Sequence, residues 1–154
     1  MPSKARPTQP IEILKWEHER LLSGIGEIQA LNDHSSNGHF NKIAGKVNSI
    51  LLFLELHQEA EERFLFPLVP ELGDTLFSGL REEHLLLLNG SDVLVSIFNS
   101  KKPDWLRHYL RTLGSTLEEH FLNEETNVYQ QAEKILTPAQ VDILKIKFAT
   151  RRLT

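Results

Sequence analysis

The segments HQEAEE, residues 57–62, and HFLNEE, residues 120–125, state the pattern His-x-x-x-Glu-Glu twice in a chain of 154 residues. Both lie inside stretches whose apolar residues recur at intervals of three and four, the spacing of one helical face. Four residues turn an α-helix by about 400°, so Glu61 stands only about 40° from His57, and Glu124 the same small angle from His120. Glu62 and Glu125 are turned by about 140° and are expected to point away, Glu62 into solvent. The chain has 16 glutamates, so x-x-x-Glu-Glu follows a given His by chance only about 1% of the time. Two occurrences among seven histidines therefore need a reason other than acidity.

Reading outward from the two motifs gives helices throughout. Residues 1–10 form a polar, Pro-rich lead-in that is expected to be flexible, and Pro10 suits a first helical position. Ile11, Leu14, Leu21, Leu22, Ile25, Ile28 and Leu31 then define a first helix, and the polar run 32–38 (NDHSSNG) ends it. A second helix runs from Phe40 to about Phe66, where Pro67 and Pro70 stop it. A third is expected from Thr75 to about Asn99, locally weakened at Gly90 and Ser91. A fourth begins at Pro103 and reaches about Lys134, and Thr137-Pro138 opens a short fifth that ends near Arg151. No alternating segment of useful length suggests a strand. Residues 11–154 are thus expected to form one all-α domain, an up-down-up-down four-helix bundle with a short fifth C-terminal helix.

This register places four histidines at one level. His57 and His84 are each nine residues from the turn that joins their helices, about 13.5 Å at 1.5 Å per residue. His18 and His120 fall at a similar depth on the first and fourth helices. One imidazole from each helix, with Glu61 and Glu124, gives six inward side chains: His18, His57, Glu61, His84, His120 and Glu124. Two buried carboxylates without a counter-charge would be costly, and a pair of metal ions removes that cost. His34, His39 and His108 lie too far along their helices or turns to join them, and surface or turn roles are expected there.

Composition narrows the chemistry. The chain has no cysteine, which removes disulfides, thiolate catalysis and cysteine-ligated clusters together. Imidazole and carboxylate alone suit iron, with manganese or zinc also able to use such donors. The net charge of -4 argues against a nucleic-acid partner, and the basic group Lys145, Lys147, Arg151 and Arg152 reads as the solvated face of a last helix. No apolar run approaches 18 residues, so no membrane association and a cytoplasmic location are expected. Glu-x-x-His and His-Glu-x-x-His are both absent, which disfavours a ferritin-like carboxylate site and a zincin protease.

The stretches WEHERLL (16–22), LELHQEAEERFLFP (54–67), REEHLLLL (81–88) and LEEHFLNEETNVYQ (117–130) resemble the hemerythrin-like, HHE cation-binding family over about residues 11–133. The resemblance implies a four-helix bundle around a non-haem diiron centre, with His18, His57, His84 and His120 as ligands and Glu61 and Glu124 as bridging carboxylates. It also makes the first two helices an echo of the third and fourth. The oxygen carriers of the family have a second His four residues after that of the third helix, where this chain has Leu88. They also take the last carboxylate from the position of Glu125. The resemblance therefore points to relatives with four His and two Glu, associated with iron or oxygen sensing and with responses to nitric oxide or oxidative stress.

The expectation is a two-iron binding protein for a small diatomic ligand, O2 or NO, with Leu54, Leu85, Leu88 and Phe121 as its apolar lining. A diiron redox enzyme acting on peroxide or nitric oxide, or an iron donor in repair, is the alternative, with its redox or signalling partner unassigned.

Overall fold

A computed structural model describes residues 5–33, 40–100 and 102–151, apart from the side chains of Phe40 and Ser91. The helices are α1 (Pro10–Asp33), α2 (Phe40–Ala60), α3 (Asp74–Ser100), α4 (Pro103–Glu124), α5 (Gln130–Ile135) and α6 (Pro138–Thr150). No strand occurs among the described residues. His34 and His39, and most of the turn expected around them, lie outside the described residues.

Each long helix buries a stripe at alternating three- and four-residue steps. In α4 it runs through Leu106, Leu110, Leu113, Leu117, His120 and Glu124, and in α3 through Phe77, Leu80, His84, Leu87 and Leu94. The imidazoles and carboxylates thus stand in the same rows as the leucines.

Paired contacts set the direction of each neighbour. Glu17 meets His57 while Gly24 lies against Ile50. Glu62 meets His84 while Phe66 stacks on Phe77. Glu83 meets His120 while Gly90 lies against Tyr109. His18 meets Glu125 near one end of α1, and Asp33 meets Arg107 at the other. Every adjacent pair is therefore antiparallel, as an up-down-up-down bundle requires.

Two features depart from the sequence reading. The second and fourth helices do not continue as regular α-helix; each passes into a π turn, Glu61–Leu65 and Glu125–Tyr129, immediately at its doubled glutamate. Such wide turns insert a residue into the helical ladder and are common at functional sites. After the first of them, two short 3₁₀ turns carry the chain past Pro67 and Pro70. Gly73 then turns the backbone at φ 101°, a conformation that favours glycine. By contrast, α3 is assigned as unbroken helix through Gly90.

The apolar core comes in two parts. One is built from residues such as Leu21, Ile25, Leu54, Leu87, Leu113 and Leu117. The other contains Leu14, Leu65, Phe66, Leu80, Tyr129 and Phe148. Between them along each helix lies the His and Glu layer. Thr137 caps α6 by accepting from the Gln140 N–H at 3.2 Å and donating its own N–H to Gln140 Oε1 at 2.9 Å. Leu144 and Phe148 of α6 are buried, which closes that end of the second core.

Leu85, expected to line the site, is 63% exposed, whereas Leu54 is 0% exposed. It follows α3's His84 directly, about 100° around the helix, and so faces outward. Leu54→Ala is expected to lower the unfolding free energy by about 2–5 kcal/mol, and Leu85→Ala by less than about 0.5 kcal/mol. Urea unfolding followed by far-UV circular dichroism measures both.

Candidate metal centre

The structure brings all six expected side chains together. His18, His57, His84 and His120 are at most 4% exposed, and Glu61 and Glu124 are fully buried. The rings of His18 and His57 are 4.7 Å apart between centroids, and those of His84 and His120 are 4.8 Å apart. Every imidazole turns Nε2 toward the two central carboxylates. His18 Nε2 is 3.2 Å from Glu124 Oε1, and His57 Nε2 is 3.5 Å from Glu61 Oε1. His84 Nε2 lies 3.3 Å from Glu61 and 3.1 Å from Glu124, and His120 Nε2 is 3.3 Å from Glu124.

The opposite nitrogens are all engaged. His57 Nδ1 meets Glu17 at 2.9 Å, His84 Nδ1 meets Glu62 at 2.6 Å, His120 Nδ1 meets Glu83 at 2.6 Å and His18 Nδ1 meets Glu125 at 2.7 Å. Each pair joins neighbouring helices, so the four form a closed ring: first helix to second, second to third, third to fourth, fourth back to first. A carboxylate on Nδ1 fixes that nitrogen as the N–H and leaves the Nε2 lone pair for the centre.

The sequence reading missed this outer set and misplaced Glu62. Glu62 does not face solvent; it lies in the seam between α2 and α3, with its side chain 32% exposed. A rotation of about 140° stops short of the outer face, and the π turn that begins at Glu61 changes the local winding as well. Glu125 neither replaces Glu124 at the centre nor points away, since Glu124 takes the buried position and Glu125 holds His18. The signal was available in the doubling itself. Glu17-His18 matches Glu83-His84, and His57 with Glu61-Glu62 matches His120 with Glu124-Glu125, so each half contributes the same three acids and two imidazoles.

Arg151 departs from its expected solvated role. The packing of α6 through Leu144 and Phe148 brings Arg151 onto Glu17, with Nη1 3.4 Å from Oε1 and Nη2 bonded to Oε2. His108 is exposed, as expected.

Electrostatics set the protonation of the layer. Burial works against the charged forms of His18, His84 and His120, but the adjoining carboxylates outweigh it. Glu124 and Glu125 raise His18 to about 9, and Glu124 with Glu61 raises His84 to about 11. His120 is also raised, chiefly by Glu124 against the effect of burial. For Glu124, burial would raise the pKa, yet His120, His18 and His84 together hold it well below the usual carboxylate range. Glu61 moves the other way, raised by burial and then by the charge of Glu124.

Four buried atoms aimed into this space make no hydrogen bond: His57 Nε2, His120 Nε2, Glu61 Oε1 and Glu124 Oε1. Unpaired polar atoms at this depth cost about 1–3 kcal/mol each. Two groups could each hold an ion, His18, His57, Glu61 and Glu124 on one side and His84, His120 and Glu124 on the other. Their shared Glu124 suits a bridging role, and neighbouring ligands on one ion, bound at about 2.1 Å and at right angles, stand about 3 Å apart. The observed nitrogen-to-oxygen spacings of 3.1–3.5 Å fit that requirement.

A cavity of about 470 Å³ lies along α3 and α4. Tyr109 and Gly90 line one end, Leu86, Leu87 and Leu113 its apolar walls, and Glu83 and His120 the end nearest the centre. Among the described residues, no helix is long and apolar enough to cross a membrane.

Residues 9–132 match the family model described as Hemerythrin HHE cation binding domain. No curated protein and no solved structure gives a significant match.

In the metal-free protein the raised imidazoles contribute stability that is complete below their unfolded value of 6.5 and is lost as pH rises through about 9 and about 11. Metal-free protein is expected to melt at a lower temperature at pH 10 than at pH 6. Thermal melts followed by circular dichroism, in matched ionic strength, check the sign.

Proposed function

Because the chain belongs to the hemerythrin HHE cation-binding family, we propose that its buried layer holds two iron ions and presents them to a small diatomic ligand, O2 or NO. The observation that carries this reading is the set of unpaired atoms, two imidazole nitrogens and two carboxylate oxygens, converging from α2 and α4 and their junctions with the π turns. His18, His57, His84 and His120 would supply the nitrogen donors, with Glu61 and Glu124 spanning the two ions. An iron pair bound there supplies reversible electron transfer and an open position for a diatomic ligand.

The chain's own residues prepare the site for that use. The carboxylates of Glu17, Glu62, Glu83 and Glu125 orient the imidazoles and increase their basicity as donors. Phe121 stacks on His18 with 3.7 Å between ring centroids, and Leu54 and Leu117 continue the dry wall. Water is thereby kept from the carboxylate pair, while the cavity at α3 and α4 gives a small molecule an approach to His120. Manganese or zinc would find the same donors. A cytoplasmic location and the lack of a nucleic-acid partner remain parts of the proposal.

Protein expressed with ample iron and purified without chelator is expected to carry close to two irons per chain by elemental analysis. A ratio near zero would overturn the reading. Reduced, iron-loaded protein should change its visible spectrum on addition of NO or O2, whereas sustained consumption of peroxide or NO would favour the enzymatic alternative. Glu62→Ala should weaken metal binding about 10–100-fold while leaving the helical content unchanged, as read by competition with a chromogenic chelator.

A further inference from the structure

One more oxygen atom reaches the centre. Tyr129 is fully buried, its hydroxyl is 3.0 Å from His18 Nε2, and it donates a hydrogen bond to Glu61 Oε2. That places it beside the group formed by His18, His57, Glu61 and Glu124. Its 3.0 Å spacing from His18 Nε2 is close to the 3.2 Å between the same nitrogen and Glu124 Oε1. Both distances match neighbouring ligands on one ion, about 3 Å apart for bonds of about 2.1 Å.

The internal repeat shows that packing does not require the hydroxyl. Tyr129 comes four residues after Glu125, and the residue four after Glu62 is Phe66. Phe66 is 1% exposed, stacks on Phe77 with 4.6 Å between centroids and lies 6.4 Å from His84. The fold therefore fills this place with a plain phenyl ring in one half. Only the repeat that contains His84 and His120 adds an oxygen, and it adds it within reach of His18 Nε2 in the other repeat.

We propose that Tyr129 is itself a metal ligand, bound through its phenolate oxygen to the ion held by His18, His57, Glu61 and Glu124, so that the two ions occupy chemically unequal sites. The inference rests on the dinuclear reading above. On coordination the O–H bond breaks, the oxygen–metal bond forms, one proton leaves to solvent and no electron is transferred. The side of the centre at His84, near which Phe66 packs, gains no such donor, so the open position would fall to the ion at His84 and His120. That is also the side on which the cavity reaches His120.

The test uses the full chain loaded with ferric iron, its iron content measured first. Resonance Raman excitation in the visible band should show phenolate ring modes, and these should shift when the protein is made with ring-deuterated tyrosine. Tyr129→Phe, compared at equal iron content, should retain its helical circular dichroism but lose the ring modes. Tyr109→Phe should keep them, because the chain's other tyrosine lies 11 residues from His120 along α4, about 16 Å away. Iron-loaded wild type without ring modes, or ring modes that survive in Tyr129→Phe, would refute the ligand role while leaving the dinuclear reading intact. A chain that takes up no iron would sink both.

Discussion

Two carboxylates with no exposed surface, Glu61 and Glu124, govern how this bundle is built. A carboxylate carried from water into a protein interior must be neutralised, bonded or paired, and here the surroundings do all three unequally. Glu124 draws on three imidazoles and stays ionised; Glu61, against that charge, is pushed toward its neutral form. The four imidazoles are in turn anchored by four further acids, and one of those, Glu17, is matched by Arg151. The polar layer is thus ordered outward from its two central charges.

That layer explains why two apolar cores exist where a bundle of this size could have one. Leucines above and below each His follow the same helical stripe, so the interruption is one of chemistry and not of geometry. The π turns belong to the same arrangement. They begin where the doubled glutamates stand, at the position where one acid must face the centre and the next must reach a neighbouring helix.

Much of this was legible in the sequence, for identifiable reasons. Apolar periodicity gave the helices, and equal distances from a shared turn placed His57 and His84 at one level. The angle between His and the first Glu of each motif assigned Glu61 and Glu124 inward. What could not be read was which neighbour would receive a side chain turned by about 140°, because ideal rotation about one helix says nothing of the seam beside it. Glu62 was lost that way. Arg151 was hidden for another reason: its role depends on where α6 docks, a tertiary fact that Leu144 and Phe148 decide.

The ring of four imidazole–carboxylate pairs works like a hoop around a cask, fastened once at every seam. A hoop resists spreading in all directions, yet it yields first at its weakest fastening. Glu83 is the most water-exposed of the four acids, with 46% of its side chain accessible against 5% for Glu17. A carboxylate open to water is screened more than a buried one, so the seam between α3 and α4 carries the fastening that solvent weakens most. The same seam borders the cavity. The joint most open to solvent and the cavity therefore share one side of the bundle, while the joint at Glu17 is sealed.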